Sequence, residues 1–326
     1  MQNSTSLSIG LVQMNTFNSK TLEIGRAIFL SSTLLSFFYF LYFIVGILHF
    51  SFTSPHVREQ PRYILFAHML INDALYLSLS LFLLMASLFL LYIPVPICYI
   101  IVTLTSSTFK ITPYNLAVMA LERYAAICFP LRHAILCTPQ RSNVAIAVMW
   151  TIGLIPNVAD LVVLGISADR KFISLRVMCT REAVMVNAIQ SSIRSYTLIS
   201  SLATVAVIIL FTYVKVMLVA RKISSGSSSA FKAGRTVMLH AFQLLLCMVS
   251  FTSAFTESYF REYLLFLLFG NFIILTCLPR FLSPLIYGLR DEVLKQGVRR
   301  LFTPNCKSLK SWKFRSNKCK REATQQ

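Results

Sequence analysis

Seven stretches of this 326-residue chain stay apolar for longer than the hydrocarbon core of a bilayer is thick. They are 27–50, 63–90, 95–123, 142–166, 192–219, 234–256 and 263–288. A helix crosses that core in about 20 residues. A membrane β-barrel would instead alternate polar and apolar residues in segments of about ten, and the runs here are continuous. A soluble domain carries about a quarter charged residues. This chain has 13% charged and 56% hydrophobic residues, with a mean hydropathy of +0.67. So few charges cannot cover a soluble surface of this size, and the expected solvent is lipid. The sequence therefore predicts an all-α membrane protein, a bundle of seven transmembrane helices. Pro156, Pro279 and Pro284 fall inside late apolar runs, which kinked membrane helices tolerate.

The formal charge of +19 would by itself suit a nucleic acid, but its distribution points to lipid. The segments 51–62, 123–141, 220–235 and 290–326 hold 20 of the 31 Lys and Arg, and the opposite segments 1–26, 167–191 and 257–262 hold seven. Cytoplasmic loops are the basic ones, so the N-terminus is expected outside and the C-terminus in the cytoplasm. Seven spans require that same opposition. The organisation follows: an extracellular N-terminus at 1–25, a membrane domain at 26–290, an amphipathic helix at 291–302 and a basic cytoplasmic tail at 303–326. In the stretch 291–302, Val293, Leu294, Gly297, Val298, Leu301 and Phe302 share a face away from Lys295, Arg299 and Arg300, a pattern suited to lying on the inner leaflet. Cys306 and Cys319 follow, either acylated or free. Asn3-Ser4-Thr5 is a glycosylation acceptor on the outer side.

Of eight cysteines, only Cys98 and Cys179 fall on the expected outer side. An oxidising compartment allows a bridge between them; two free thiols are the alternative. The five histidines, His49, His56, His68, His133 and His240, do not cluster at metal-ligand spacing, and no Gly-rich phosphate loop is present. No metal, cofactor or enzymatic activity is expected.

Charged residues inside the runs are the functional candidates, because each costs about 2.5–3.5 kcal/mol at mid-helix on insertion scales. They are Asp73 midway along span two, Lys110 in span three, Glu122 and Arg123 at its end, Asp160 in span four and Arg280 in span seven. Arg194 and Lys215 lie near span ends, where long cationic side chains can reach water.

The stretch Met119-Ala-Leu-Glu-Arg-Tyr-Ala-Ala-Ile-Cys-Phe-Pro-Leu-Arg-His133 resembles the end of the third helix in rhodopsin-like G-protein-coupled receptors, in the form seen in odorant receptors. Three further stretches fit in order: His56-Val-Arg-Glu-Gln-Pro-Arg-Tyr63 with Asp73, Lys232-Ala-Gly-Arg-Thr-Val-Met-Leu-His240, and Ser283-Pro-Leu-Ile-Tyr-Gly-Leu-Arg290. Trp150 and Tyr213 also fall where that family keeps them. The resemblance covers about 25–302, and Leu-Pro-Arg-Phe-Leu-Ser-Pro-Leu-Ile-Tyr looks most like fish odorant receptors. The chain departs from the pattern in three places. No asparagine lies between Ser19 and Ile71, Ser283 stands where asparagine is usual, and Cys247-Met248-Val249 replaces an aromatic stretch.

The resemblance implies a plasma-membrane odorant receptor with a small-molecule odorant outside and a heterotrimeric G protein inside. It assigns Asp73, Glu122, Arg123, Tyr124, Tyr213, Pro284 and Tyr287 to the activation switch. Arg123 pairs with Glu122 at rest; when the sixth helix swings out, Arg123 faces the G protein and the two tyrosines turn inward. The ligand is expected between the outer halves of spans three, five, six and seven. Residues available there are Thr105, Ser106, Phe109, Lys110, Thr197, Ser201, Ser253, Phe255 and Thr276. A non-olfactory chemosensory or hormone receptor is the alternative, and a transporter a remote one, since paired repeats and broken helices are missing. Thr103-Leu-Thr-Ser-Ser107 holds no carboxylate, against an amine ligand gripped as trace-amine receptors grip theirs. Thr103, Ser106, Ser107, Lys110 and Tyr114 share a helical face that should turn inward. Two readings of Lys110 stay open: a structural partner for Asp160, or the counter-charge of an anionic or strongly accepting ligand.

Overall fold

The computed structural model describes residues 2–53, 59–168, 170–181, 183–223, 242, 245–246 and 270–282. The elements are α1 (Gln2–Thr53), α2 (Pro61–Leu88), β1 (Tyr92–Pro94), α3 (Val95–Cys128), α4 (Pro130–Leu136), α5 (Pro139–Ser167), α6 (Arg170–Ile173), β2 (Arg176–Met178) and α7 (Ala188–Ile223). A last helical segment, α8 (270–282), is π-helical over Asn271–Cys277. Five of these helices are long and apolar enough to cross a membrane: Glu23–Thr53, Pro61–Leu88, Val95–Cys128, Pro139–Ser167 and Ala188–Val219. They correspond to the first five predicted runs. The polar N-terminal segment is helical and continuous with the first span. Apart from 242 and 245–246, the sixth run lies outside the described residues, as do the motif 232–240, Ser253, Phe255, Pro284, Tyr287, the amphipathic stretch 291–302 and His56 at the start of its motif.

Proline sets the edges. It stands at the first or second position of α2, α3, α4 and α5, where its missing N–H leaves no bond unmade. α3 runs past Arg123 to Cys128, five residues beyond the predicted end. It stops at Phe129 because the residue before a proline, here Pro130, is pushed out of the helical region. The Thr138 hydroxyl accepts from the Arg141 N–H at 3.3 Å and starts α5.

α3 is the axis of the bundle, in contact with α2, α5 and α7. Half of its most apolar window is buried, against 22–39% for the other spans. Phe40, Ile44 and Ile47 of α1 pack on Phe66, Met69 and Leu70 of α2, and Leu116, Met119 and Met149 complete that core. Gly153 lets α5 approach α3: a Cβ there would meet Ile111 at 3.4 Å. Large apolar side chains also point outward, among them Leu35, Val45, Ile155, Val162, Ile199 and Leu210. In water such a belt would be an association surface; in lipid it is the solvated face.

The connection after α5 folds back over the bundle. Its strand β2 pairs antiparallel with β1, Tyr92 opposite Met178 and Pro94 opposite Arg176. The sequence reading did not identify these strands; three residues each, they are too short to show a period.

Candidate functional site

Three ionic clusters lie at different depths around α3. Near the C-terminal end of α3, Glu122 is buried and receives two partners. Arg123 Nε lies 3.6 Å from Oε2, and His133 Nε2 lies 3.2 Å from Oε1. The expected Glu122–Arg123 pair is therefore formed, and α4 adds His133 to it. Tyr124 sets its ring edge-on against Phe129 and Phe211. Tyr213 is half-buried on α7. Cys137, beside this cluster, has its thiol pushed up by burial and by the Glu122 carboxylate, with Arg141 opposing.

Midway through the bundle, Asp73 is fully buried. Its Oδ1 accepts from the Thr112 hydroxyl at 2.9 Å and lies 3.5 Å from Arg280 Nε. The Arg280 guanidinium sits 3.6 Å from the centroid of Tyr76 and 5.5 Å from that of Phe109, and those two rings stack. Its Nη1 donates to the Thr276 carbonyl at 3.3 Å. Asn72 ties α2 to α3 by donating to the Thr108 carbonyl and the Thr112 hydroxyl. A guanidinium thus occupies the space against the Asp73 carboxylate where a free cation would go. Phe109 and Thr276 belong to this cluster.

In the third cluster, around the N-terminal half of α3, the structure bears on one reading left open and corrects one expectation. Asp160 pairs with Arg194 rather than with Lys110: Nη2 donates to Oδ2 at 2.5 Å and Nε to the same oxygen at 3.2 Å. Arg194 does not extend to the water boundary. α7 starts at Ala188, four residues before the predicted span, so Arg194 lies more than a turn inside the helix and is 7% exposed. Its Nη1 donates to the Arg181 carbonyl at 3.2 Å. The Tyr99 hydroxyl donates to the Asn157 carbonyl and to Asp160 Oδ2, and Gln190 Nε2 donates to the Asp160 carbonyl. Lys110 is 4% exposed, and its Nζ makes no hydrogen bond.

The polar face of α3 does turn inward. Ser107 is fully buried, donates to the Thr103 carbonyl and accepts from Asn157 Nδ2 at 2.6 Å. The hydroxyls of Thr105, Thr197 and Ser201 all donate to carbonyls of their own helices; Ser106 is half-buried beside Thr105.

Residues 45–287 match the family described as 7 transmembrane receptor (rhodopsin family). This chain belongs to that family. It is 28% identical over 304 residues to odorant receptor 131-2 of Danio rerio, covering 92% of this chain and 91% of that one. Olfactory receptor 52A5 of Homo sapiens is 26% identical over 199 residues, 57% of this chain and 61% of its own length. Olfactory receptor 2AT4 of Homo sapiens is 27% identical over 205 residues, 59% and 62% of the two chains. The family is one of signalling receptors, not of enzymes.

The receptor's third cluster is closed by a disulfide between Cys98 near the start of α3 and Cys179 after β2, with Cα atoms 5.4 Å apart. Both are buried against Tyr99, Val102, Leu164 and Val184. Removing a native disulfide typically costs about 2–5 kcal/mol. Cys98→Ser and Cys179→Ser are each expected to lose surface expression, measured by staining an N-terminal tag on intact cells. The double substitution is expected to be no worse than either single; additive losses would mean the two do not stabilise as one unit.

Several contacts of these clusters were not foreseen. His133 stands in the same motif as Glu122, but nothing in the sequence shows that α4 folds back onto it. Arg280 facing Asp73, and Tyr99 facing Asp160, are juxtapositions between spans. The indole of Trp150 donates to His68 Nε2 at 3.0 Å, giving the Trp150 noted in the sequence a partner on α2.

Proposed function

We propose that this receptor is an odorant receptor of the plasma membrane, which binds a small molecule in the outer half of its bundle and activates a heterotrimeric G protein. The observation that carries the reading is the match to an odorant receptor along about nine-tenths of both chains. In this reading seven spans cross the membrane, the N-terminus is outside, and 291–302 lies on the inner leaflet ahead of the basic tail 303–326. Thr105, Ser106, Lys110, Thr197 and Ser201 border the ligand together with Ser253 and Phe255, and Phe109 and Thr276 form its floor above Asp73. Glu122, Arg123, Tyr124, Tyr213, Pro284 and Tyr287 serve the switch. A conformational change on the inner side follows if the ligand binds the active arrangement better than the resting one.

The test is a screen of water-soluble odorants on cells carrying the tagged receptor and a cyclic-AMP reporter. At least one compound is expected to give a saturable response that requires the receptor. Responses only to peptides or amines would reject the odorant role. The same cells report orientation. The gel band is expected to shift on enzymatic deglycosylation in wild type and not in Asn3→Gln, and an N-terminal tag hidden from antibody in intact cells would reverse the topology.

A further inference from the structure

Among the described residues, every buried carboxylate has a cation beside it. Asp73 has Arg280, Glu122 has Arg123, and Asp160 has Arg194. One buried cation, Lys110, has no carboxylate of its own. Asp160 lies within its electrostatic reach, but so do Arg181 and Arg194, and the Asp160 charge is already matched by Arg194. An ammonium offers three donors and accepts nothing, and a charge buried without a partner is strongly disfavoured. At 4% exposure the side chain has not reached water either, as snorkelling would require.

Asp160 Oδ1 also lacks a hydrogen bond, but on this face of α3 the hydroxyls beside Lys110 are bonded. On the same face, Ser107 and Asn157 satisfy each other, and Thr108 donates to the carbonyls of Leu104 and Thr105. Thr105, Thr197 and Ser201 are bonded within their helices. A ligand entering between α3 and α7 would therefore meet hydroxyls at Thr105, Thr197 and Ser201 whose hydrogens are engaged, and one ammonium that is not. Pockets of this type are mostly apolar, with a few polar groups fixing orientation.

We propose that Lys110 is the anchor for an anionic ligand, a small organic acid whose carboxylate accepts from Nζ and whose apolar body lies against α3 and α7. The proposal deepens the receptor reading and rests on it for signalling, though not for binding.

The experiment uses the full-length receptor as wild type, Lys110→Met, Lys110→Gln and Lys110→Arg. The probes are straight-chain carboxylates from butanoate to decanoate, benzoate, and the methyl ester of each. Two readouts are taken: the melting temperature of the detergent-solubilised receptor, and cyclic AMP in cells. At least one carboxylate is expected to raise the wild-type melting temperature saturably while its ester does not. Lys110→Met and Lys110→Gln are expected to weaken that acid more than tenfold, a loss of about 1.4 kcal/mol, and Lys110→Arg to retain it. Without ligand, Lys110→Met is expected to melt at or above wild type, because it removes a buried charge and breaks no pair. The proposal is overturned if no carboxylate shifts the wild type, if acid and ester act alike, or if Lys110→Met keeps the acid within about threefold. It is also overturned if Lys110→Met fails to fold or melts several degrees lower, because Lys110 would then have a structural partner. Binding of a carboxylate with no cyclic-AMP response upholds the anion site and rejects the signalling role. A response to esters alone does the reverse.

Discussion

Arg194→Met is expected to cost about 3–5 kcal/mol, the usual penalty for leaving one member of a buried ion pair alone. Asp160 would keep the Tyr99 hydroxyl at 3.3 Å but lose both guanidinium bonds to Oδ2, and its Oδ1 already lacks a hydrogen bond. Asp160→Asn should be comparably damaging, since Arg194 would then share the outer half with Lys110 and no counter-charge. The double substitution Asp160→Asn/Arg194→Met is expected to lose much less than the sum of the two singles. Replacing a whole buried pair by neutral groups is often near neutral, and contacting residues do not add independently. Part of the loss will remain, because Arg194 also holds the Arg181 carbonyl and so fastens the outer connection to α7. Melting temperature in detergent and surface staining read the three variants. Additive losses would mean that Asp160 and Arg194 act separately, and Asp160 would again be open to Lys110.

That pair shows where sequence reading stops. The runs themselves were legible because lipid demands about 20 apolar residues per crossing, and no tertiary contact can cancel that demand. Their ends were less so. α3 runs on to Cys128, five residues past Arg123 at the apolar boundary, and stops at Phe129 because of Pro130, and α7 gains a turn, 188–191, ahead of the predicted span. Cys98 and Cys179 were legible as a pair because they alone fell on the outer side, and the bridge is formed. Asp160, Asp73 and Arg280 were each legible as costly, so a partner for each was expected, whereas Arg194 was expected to reach water from its span end. Which charge meets which is decided by the rotation and depth of separate helices, and a residue list carries neither. Proximity of span three to span four favoured Lys110 as the partner of Asp160. The start of α7 at Ala188 instead brings Arg194, with its forked donors, to the same carboxylate. A guanidinium presents two N–H groups to one carboxylate, which an ammonium on a flexible stem does less well.

Arg123→Ala is expected to abolish the response to any agonist at saturation while leaving surface expression close to wild type. The two halves of this expectation come from different observations. The Arg123 side chain is 25% exposed, and its Nε stands 3.6 Å from Glu122 Oε2. A partly exposed pair at that separation is worth about 1 kcal/mol or less, and Glu122 keeps His133 at 3.2 Å after the substitution. Folding therefore loses little. Signalling loses more, because Arg123 lies near the C-terminal end of α3, which the proposed topology puts in the cytoplasm, and there it would be the cation presented to the G protein once its bond to Glu122 is exchanged. Glu122→Gln separates the two roles. It removes the charge that holds both Arg123 and His133 and leaves Arg123 in place, so basal cyclic AMP is expected to rise without ligand. Combining Glu122→Gln with Arg123→Ala should remove that rise, since the released arginine is what acts. A full agonist response in Arg123→Ala, at matched surface levels, would overturn the role of Arg123. A silent Glu122→Gln that binds ligand normally would show that the Glu122 contact does not restrain the resting state.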